Sequence, residues 1–296
     1  MKTKITAFVL SAVMVFALSA CGKADKDNTT ADTNTYEPDA VTTSVTTEAQ
    51  TDETDPNKVS VTIPEGYTLL RLSWLLEEKG VCSSEAFVNA AQSYDLNSNT
   101  LLADVNSTKN ICFKLEGYLF PATYTFAKDA TPEKVIDTMV STMSSKITGD
   151  MRDKAKALGY NIHEILTIAS IIEKEAYTAE QRTAISAVLH NRLKKNMKLQ
   201  CDVTVKYCTG VIEVQYPKKI DTFKYYYNTY RCDALPAGPI CNPGMASINA
   251  ALNPDNANYL YFVINTEPPY EAAFSATYDE HVEKCTEMGY TAKSQP

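Results

Sequence analysis

The chain has 296 residues and a formal net charge of −8, and 44% of its residues are hydrophobic. That hydrophobic content is typical of a globular protein that buries a core. A nucleic-acid-binding protein needs a concentrated positive surface, and no basic run appears beyond the N-terminal segment. We therefore expect no nucleic-acid partner.

The N-terminal residues 1–20 have the pattern of a secretory signal peptide. Two lysines precede the almost unbroken apolar run Ile5–Leu18, which is shorter than the roughly 20 residues that span a bilayer. The segment Leu18–Cys21 resembles the lipobox of bacterial lipoproteins, which implies cleavage before Cys21 and a diacylglycerol on its sulfur. An ordinary signal peptide with an unrelated cysteine is the alternative. The resemblance predicts a lipid anchor at the extracytoplasmic face of the cell membrane.

Residues 21–57 are rich in Thr, Asp, Glu and Asn and hold almost no large apolar side chains, which predicts a disordered tether. Ordered structure is expected from Lys58, where Val59–Ile63 alternates as a half-buried strand does. Thr68 can cap a following helix that Gly80 ends, and Ser83 or Ser84 can start another. A strand followed by two short helices resembles the LysM-like module, a small glycan-binding unit. An ordinary packing module remains the alternative for residues 58–111.

The region 112–290 is predicted to be rich in helices. Thr131-Pro132-Glu133 is a typical helix start, and Asn161 with Glu164 has the spacing of a capping box, as has Thr178 with Gln181. Tyr259–Ile264 and Ala273–Ser275 are predicted strands. Residues 291–296 are left as a tail. Together these patterns favour an α+β protein.

The cysteines and histidines do not form a metal-binding pattern. Seven cysteines follow Cys21, an odd number, so that at least one thiol stays free even where disulfides are permitted. No CxxC pair occurs, and the three histidines lack an HxxxH spacing. We expect neither a metal nor a cofactor.

The candidate chemistry lies in the helix that ends at Glu175. At 100° per residue, Glu173 and Glu175 lie about 160° apart on the two flanks of the apolar stripe, so they do not face each other. This spacing disfavours a hydrolase built on these two carboxylates alone. A lone acid at the end of an apolar helix suits general-acid chemistry, because burial raises the pKa of a carboxyl. The alternative is that both glutamates are ordinary surface residues.

A series of blocks resembles the endolytic murein transglycosylase (MltG, or YceG-like) family, in the family's order from about Leu115 to His281. The blocks are Leu115–Pro121, Ile168–Glu175, Asn191–Leu193, Leu199–Gln200, Asp202, Tyr227–Tyr230, Leu235–Pro236, Gly238–Ile240, Asn242–Gly244, Tyr259–Val263 and Phe274–Ser275. The resemblance implies a small LysM-like module over 58–111, followed over 112–290 by a helix-rich catalytic domain with a few strands.

The resemblance also implies an activity, the cleavage of the MurNAc–GlcNAc bond within peptidoglycan strands to leave 1,6-anhydro-MurNAc ends. The family's catalytic acid falls on Glu175. Since the nucleophile is the sugar's own C6 hydroxyl, a second carboxylate is not obligatory. The matching polar residues are expected to bind the sugar, although a structural role is open for several of them; they are Glu116, Gln200, Asp202, Asn228 and Tyr230.

Peptidoglycan is the expected partner, together with the membrane and neighbouring penicillin-binding proteins of the wall-elongation machinery. The chain departs from the family at Ala122, where Asp is usual, and at Ala272, where His is frequent, which puts some sugar contacts in doubt. A non-catalytic peptidoglycan-binding lipoprotein is the main alternative. A solute-capturing lipoprotein is disfavoured, because no βαβ alternation is seen.

Overall fold

The computed structural model describes residues 55–292. The predicted signal peptide, Cys21, most of the predicted tether and residues 293–296 lie outside this range. Within it, none of the helices is both long and apolar enough to cross a membrane.

Most of the described chain is helical. The α-helices are α1 (Leu69–Glu78), α2 (Ser84–Ser93), α3 (Ala103–Ser107), α4 (Pro132–Lys146), α5 (Gly149–Leu158), α6 (Ile162–Glu175), α7 (Ala179–Lys194), α8 (Asp202–Tyr207), α9 (Glu213–Gln215), α10 (Ile220–Tyr227), α11 (Met245–Leu252) and α12 (Tyr278–Glu287). A 3₁₀ turn covers Thr100–Leu102, and a π-helical turn, Cys208–Ile212, joins α8 to α9.

Four strands form two small antiparallel sheets in this part of the chain. In the first, β1 (Lys58–Thr62) pairs with β2 (Thr123–Ala127), so that Val61 lies opposite Tyr124. In the second, β3 (Tyr261–Ile264) pairs with β4 (Ala272–Ser275). Helices with two small sheets confirm the α+β class. That residues 58–111 form a LysM-like module stays a prediction. The partner of β1 is β2, which lies beyond residue 111, the predicted end of that module.

The helix starts follow the sequence signals. Thr68 accepts a hydrogen bond from the Arg71 amide and caps α1, and Asn161 and Glu164 form both bonds of a capping box at α6. In α4 the first residue is Pro132, and one apolar face is buried. That face comprises Val135, Ile136, Met139, Val140 and Met143.

Helix α6 lies at the centre of the helical region. Every residue from Ile165 to Ile172 is buried, because α3, α5, α7, α8 and α11 pack around it. At its C-terminal end the burial decreases, and Glu173, Lys174 and Glu175 are partly exposed. The interior helix therefore delivers two carboxylates to the surface of the fold.

Candidate active site at the end of the central helix

The two carboxylates at the end of α6 face different segments, in agreement with their helical spacing. Glu173 Oε2 accepts a hydrogen bond of 3.1 Å from the backbone amide of Gly244, just before α11. Glu175 lies on the side of Cys201, since its negative charge helps to raise the pKa of that thiol. The two carboxylates therefore lie in different surroundings.

Three charged side chains surround the buried thiol of Cys201. Burial is the main reason that its pKa lies well above the ordinary value; the carboxylates of Glu175 and Asp202 raise it further, and the guanidinium of Arg192 lowers it. Charges act on a neighbour in this way only at short range. The structure therefore places the predicted acid, Glu175, and one of the predicted sugar-binding residues, Asp202, near the same thiol.

Four of the predicted sugar-binding residues form one hydrogen-bonded unit, the polar loop pair of residues 199–202 and 228–230. Tyr230 donates its hydroxyl to Asp202 Oδ1, and its backbone amide donates to Asn228 Oδ1 at 2.9 Å. Gln200 is joined to the second loop through its amide, 3.2 Å from the Thr229 carbonyl. Asp202 is exposed, Gln200 and Tyr230 are partly exposed, and Asn228 is buried.

Thr229 and Arg192 hold the polar loop pair in place, and the sequence analysis assigned a role to neither. The Thr229 hydroxyl accepts from the Cys201 amide at 2.8 Å. Arg192, on α7, is buried and donates to the carbonyls of Lys198 and Leu199 and to Gln200 Oε1, all within 3.1 Å. It occurs in one of the family-like blocks, but most of its partners are backbone oxygens, which a sequence pattern does not reveal.

Arg192 also anchors β3 to the same loops. Its Nε donates to the Leu260 carbonyl at 2.6 Å, and its guanidinium lies 5.1 Å from the centre of the Tyr261 ring. Burial lowers the pKa of Arg192. A buried cation held by carbonyls and an aromatic face therefore lies near the Cys201 thiol.

The loop that precedes α1 and the loop that precedes α11 together form a wall beside α6. A Cβ on Gly244 would lie 1.9 Å from Glu65 Oε1, so the Glu65 carboxyl packs directly against the backbone at residue 244. Burial and the charge of Glu173 raise the pKa of Glu65, and Arg182 lowers it. Glu65, Glu173 and Arg182 therefore form a charged cluster on the side of α6 away from Cys201.

Asn242 joins this wall to the interior. It is fully buried, and its side-chain oxygen accepts from the amides of Gly117 and Leu119 at 3.0 Å each. Its side-chain nitrogen and its backbone amide both donate to the Tyr67 carbonyl at 2.9 Å. Residue 242 thus fastens the turn at 117 to the loop before α1.

Glu116 lies in the interior with only 1% of its surface exposed. Oε1 accepts from the Leu69 amide at the start of α1 at 2.8 Å, and Oε2 accepts from the Tyr207 hydroxyl at 3.0 Å. Burial raises the pKa of this carboxyl to about 8. The expectation that Glu116 binds the sugar stays a prediction, and protein donors occupy both of its oxygens.

Two stacked tyrosines connect the end of α6 to the loop between β3 and β4. The rings of Tyr177 and Tyr270 lie 4.8 Å apart and nearly parallel. Gln181 fixes both segments, because its Oε1 accepts from the Tyr177 amide at 2.8 Å and its Nε2 donates to the Tyr270 carbonyl at 2.6 Å. The β3–β4 loop is therefore held two residues beyond Glu175.

The residues of this part of the chain do not suggest a metal centre. Within residues 55–292, no group of three or more His, Cys, Asp or Glu side chains is placed to hold a metal ion. All seven cysteines after Cys21 are free thiols, and six of them are buried.

Comparison with known proteins gives one consistent result. The YceG-like family matches residues 9–287. The chain is 35% identical to an endolytic murein transglycosylase of Bacillus subtilis (strain 168), over 79% of this chain and 66% of that protein. It is 33% identical to an endolytic murein transglycosylase of Streptococcus pneumoniae serotype 2, over 71% of this chain and 41% of that protein.

A solved structure agrees with these matches. The crystal structure of a YceG-like protein from Listeria monocytogenes superposes with a TM-score of 0.65 at 35% identity, covering 77% of this chain and 76% of that one. The chain spans just under two thirds of the Bacillus protein and less than half of the pneumococcal one.

Proposed function

Because the chain belongs to the YceG-like family, we propose that it is an endolytic murein transglycosylase, an enzyme that cuts peptidoglycan glycan strands at internal bonds. The observation that carries the proposal is the end of α6. There, an interior helix delivers Glu175 beside Cys201, next to a loop pair that presents Asp202 and Tyr230. Related proteins from two bacteria are named for this activity.

In the proposed reaction Glu175 acts first as an acid and then as a base. Its proton goes to the glycosidic oxygen between MurNAc and GlcNAc as the bond to C1 breaks. The carboxylate then takes the proton of the MurNAc C6 hydroxyl, whose oxygen closes onto C1. The product is a 1,6-anhydro-MurNAc end, and no water is consumed. The separation of Glu173 from Glu175 fits this scheme, since the nucleophile belongs to the substrate.

The polar loop pair is the proposed sugar-binding wall. Asp202 and Gln200 offer oxygens to sugar hydroxyls, Asn228 offers an amide, and Tyr230 offers a ring and a hydroxyl. Arg192 keeps these loops at a fixed position relative to Glu175. Glu116 contributes by holding the start of α1 against Tyr207, because sugar contact through its buried oxygens would require those bonds to open.

The test is to digest purified glycan strands with the protein and to analyse the products by mass spectrometry. We expect 1,6-anhydro-MurNAc ends from the wild type. Glu175→Gln should lower the rate by about 10²- to 10⁴-fold, the usual loss of a general acid. Glu173→Gln is the matched control, since an amide oxygen can still accept from the Gly244 amide.

Three outcomes would count against the proposal. Activity that survives in Glu175→Gln but is lost in Glu173→Gln would move the acid to the other carboxylate. Reducing ends that incorporate oxygen from labelled water would indicate hydrolysis. Binding without any cleavage by the wild type would favour a non-catalytic peptidoglycan-binding protein.

We propose further that a lipid on Cys21 holds the enzyme at the extracytoplasmic face of the membrane, near penicillin-binding proteins that supply new glycan. The support is the lipobox-like segment Leu18–Cys21 after an apolar run. The wild type should partition into the detergent phase of a Triton X-114 extract, and Cys21→Ala should not. A Cys21→Ala protein that still enters the detergent phase would refute the lipid anchor.

A further inference from the structure

A histidine on the last helix contacts the same aromatic ring as Arg192. The ring of Tyr261, on β3, lies 5.1 Å from the Arg192 guanidinium. The imidazole of His281, on α12, stacks on this ring, with the ring centres 5.3 Å apart and the planes inclined by 22°. Tyr261 therefore contacts both the cation that holds the polar loop pair and an ionisable group on another helix.

Contacts on both sides of the imidazole hold it against Tyr261. Lys284, one turn beyond His281 on α12, donates to the Phe274 carbonyl of β4. Cys285 has 3% of its surface exposed, and its Sγ lies 3.6 Å from Nε2 and 3.8 Å from Nδ1 of His281. The place of the imidazole is thus fixed by its own helix and by the second sheet.

These surroundings favour the neutral form of His281. Burial, and then the positive charge of Arg192, lower its pKa from the ordinary value of 6.5. Burial raises the pKa of Cys285, so this thiol keeps its proton and can donate weakly to an imidazole nitrogen. An imidazolium carries protons on both nitrogens and cannot accept that bond. At neutral pH the imidazole is therefore uncharged.

The ionisable groups around His281 come from three elements. They are Arg192 of α7, Tyr261 of β3, and Tyr278, Lys284 and Cys285 of α12. Strand β4, which also packs against α12, carries no titratable side chain. Of the two cations, Lys284 is bound by a carbonyl, and Arg192 is the one whose charge lowers the pKa of His281.

We propose that His281 is a positioning residue for the polar loop pair and acts through Tyr261 and Arg192. The neutral imidazole supports Tyr261, so that the guanidinium keeps its bonds to the Leu260 carbonyl and to residues 198–200. A protonated His281 adds a second cation beside the same ring, and like charges repel one another. The polar loop pair then loses part of its fixed position, and the glycan binds more weakly.

This inference rests on the proposed function, because the polar loop pair is the proposed sugar-binding wall. The coupling between His281 and Arg192 is a property of the fold alone, so it can be measured without any substrate. Coupling between two sites is also mutual. A glycan strand that fixes the loops should therefore favour the neutral imidazole and lower the pKa of His281 further.

The first experiment measures kcat and KM for purified glycan strands as a function of pH. Between about pH 7.5 and about pH 5, protonation of His281 should raise the KM of the wild type about 5-fold. His281→Phe keeps a ring to stack on Tyr261 but cannot ionise, so its KM should lack this rise.

His281→Gln is the matched second variant, since it can neither ionise nor stack. Its KM should be higher than that of His281→Phe at both pH values and should also lack the rise. The titration of Glu175 is common to all three proteins and cancels in the comparison. A KM that rises as steeply in His281→Phe as in the wild type would overturn the proposal.

The second experiment needs no activity. Arg192 Nε donates to the Leu260 carbonyl at 2.6 Å, so its proton should exchange slowly enough to give an NMR resonance, which Arg192→Lys identifies by its loss. We expect this resonance to shift with the same midpoint as the imidazole signal of His281. The chain has three histidines, and the signal of His281 is the one that either His281 variant removes.

Two results of the NMR titration would contradict the coupling. One is an Arg192 resonance that stays in place while His281 titrates. The other is a shift that persists in His281→Phe, since it would assign the effect to another group, such as His190 on the same helix as Arg192.

The failure of this proposal can be told apart from the failure of the proposed function. A wild type that makes no anhydro ends would remove the enzyme activity, while the NMR titration would still decide whether His281 acts on Arg192. An active wild type whose KM and Arg192 resonance are both independent of His281 would leave the activity standing and remove the positioning role.

Discussion

At the scale of single residues, the carboxyl of Glu116 links the stability of the fold to pH. Its pKa rises from 4.5 to about 8 because it is fully buried. The folded protein therefore keeps the proton between these values, whereas the unfolded chain releases it. Stability from this group is complete below about pH 4.5 and decreases as the pH rises towards 8, by up to about 5 kcal/mol.

Glu116→Gln tests this linkage, since the amide is neutral at every pH and nearly the same shape. We expect the Tm of the wild type to fall relative to that of Glu116→Gln between pH 5 and pH 8, as measured by calorimetry. Comparing the two proteins cancels the titration of all other groups, including the buried His163, whose pKa is lowered. Parallel Tm curves would show that Glu116 ionises as it does in the unfolded chain.

For Arg192 we predict an effect on activity that comes from the geometry of its hydrogen bonds and not from its charge. Arg192→Lys keeps the positive charge but cannot donate at once to the carbonyls of Leu199 and Leu260 and to Gln200, because an ammonium lacks the planar fork. The polar loop pair should lose its fixed position.

We expect Arg192→Lys to raise KM for glycan strands and to lower kcat/KM by about 10-fold or more, the cost of about 1.4 kcal/mol of transition-state binding. Arg231→Lys is the control, since Arg231 is exposed in the same region. Unchanged kinetics in Arg192→Lys would mean that the loops are held by the Thr229 bonds alone.

At the scale of secondary-structure elements, the turn at Gly117 depends on two separate constraints. Gly117 has φ +86°, a conformation that disfavours side chains, and a Cβ there would lie 2.4 Å from the ring of Pro239. Gly159, at the end of α5, has nearly the same φ, +87°, but a Cβ there would meet no atom within 4 Å. Comparing substitutions at Gly117 and Gly159 therefore separates the cost of backbone strain from the cost of steric overlap.

Gly159→Ala should cost about 1 kcal/mol of unfolding free energy, from the left-handed conformation alone. Gly117→Ala should cost that amount and about 1–3 kcal/mol more, from the overlap with Pro239. Urea denaturation of both variants measures the difference. Equal losses would show that the loop before α11 moves aside freely.

The elements that the sequence predicted are those with local signals. Caps at Thr68 and Asn161, the proline at the start of α4 and the apolar face of that helix all depend on residues within a few positions. The pairing of β1 with β2 was not predicted, since the partners are about 60 residues apart and β2 has only five residues. Register between distant short strands depends on the tertiary fold rather than on local pattern.

In the candidate site, too, the residues that were predicted lie in local sequence blocks, and those without a predicted role depend on the tertiary fold. Four of the residues taken from the family resemblance, Gln200, Asp202, Asn228 and Tyr230, lie together, and Glu175 acts on the same thiol as Asp202. No role was predicted for Asn242 and Arg192, because most of their partners are backbone groups, several of them from loops remote in sequence. The sequence did not predict the burial of Glu116 either, since a carboxylate next to glycine is typical of an exposed turn.

At the scale of the whole molecule, the predicted boundary between residues 111 and 112 is crossed by many contacts. β1 pairs with β2, and Glu116 holds the first amide of α1. Asn242 binds the loop that precedes α1 through three hydrogen bonds to residues 66 and 67. Each of these contacts joins the predicted LysM-like segment to the predicted catalytic domain.

These contacts predict that residues 112–292 cannot fold without the segment before them. A fragment of residues 112–292 would leave β2 without its partner strand. It would also remove the Leu69 amide that binds Glu116 and the Tyr67 carbonyl that binds Asn242. Each buried donor or acceptor that loses its partner adds a cost of about 1–3 kcal/mol, against a total stability of roughly 5–15 kcal/mol for a typical domain.

We therefore expect residues 55–292 to unfold in one cooperative transition and residues 112–292 to show none, as followed by circular dichroism. The buried thiols supply a second readout, because Cys201, Cys208 and Cys241 are shielded in the native fold. They should resist alkylation in the longer fragment and react at once in the shorter one. A shorter fragment that melts cooperatively with protected thiols would show that residues 112–290 form an independent domain, and that the bonds across residue 111 join two folded units.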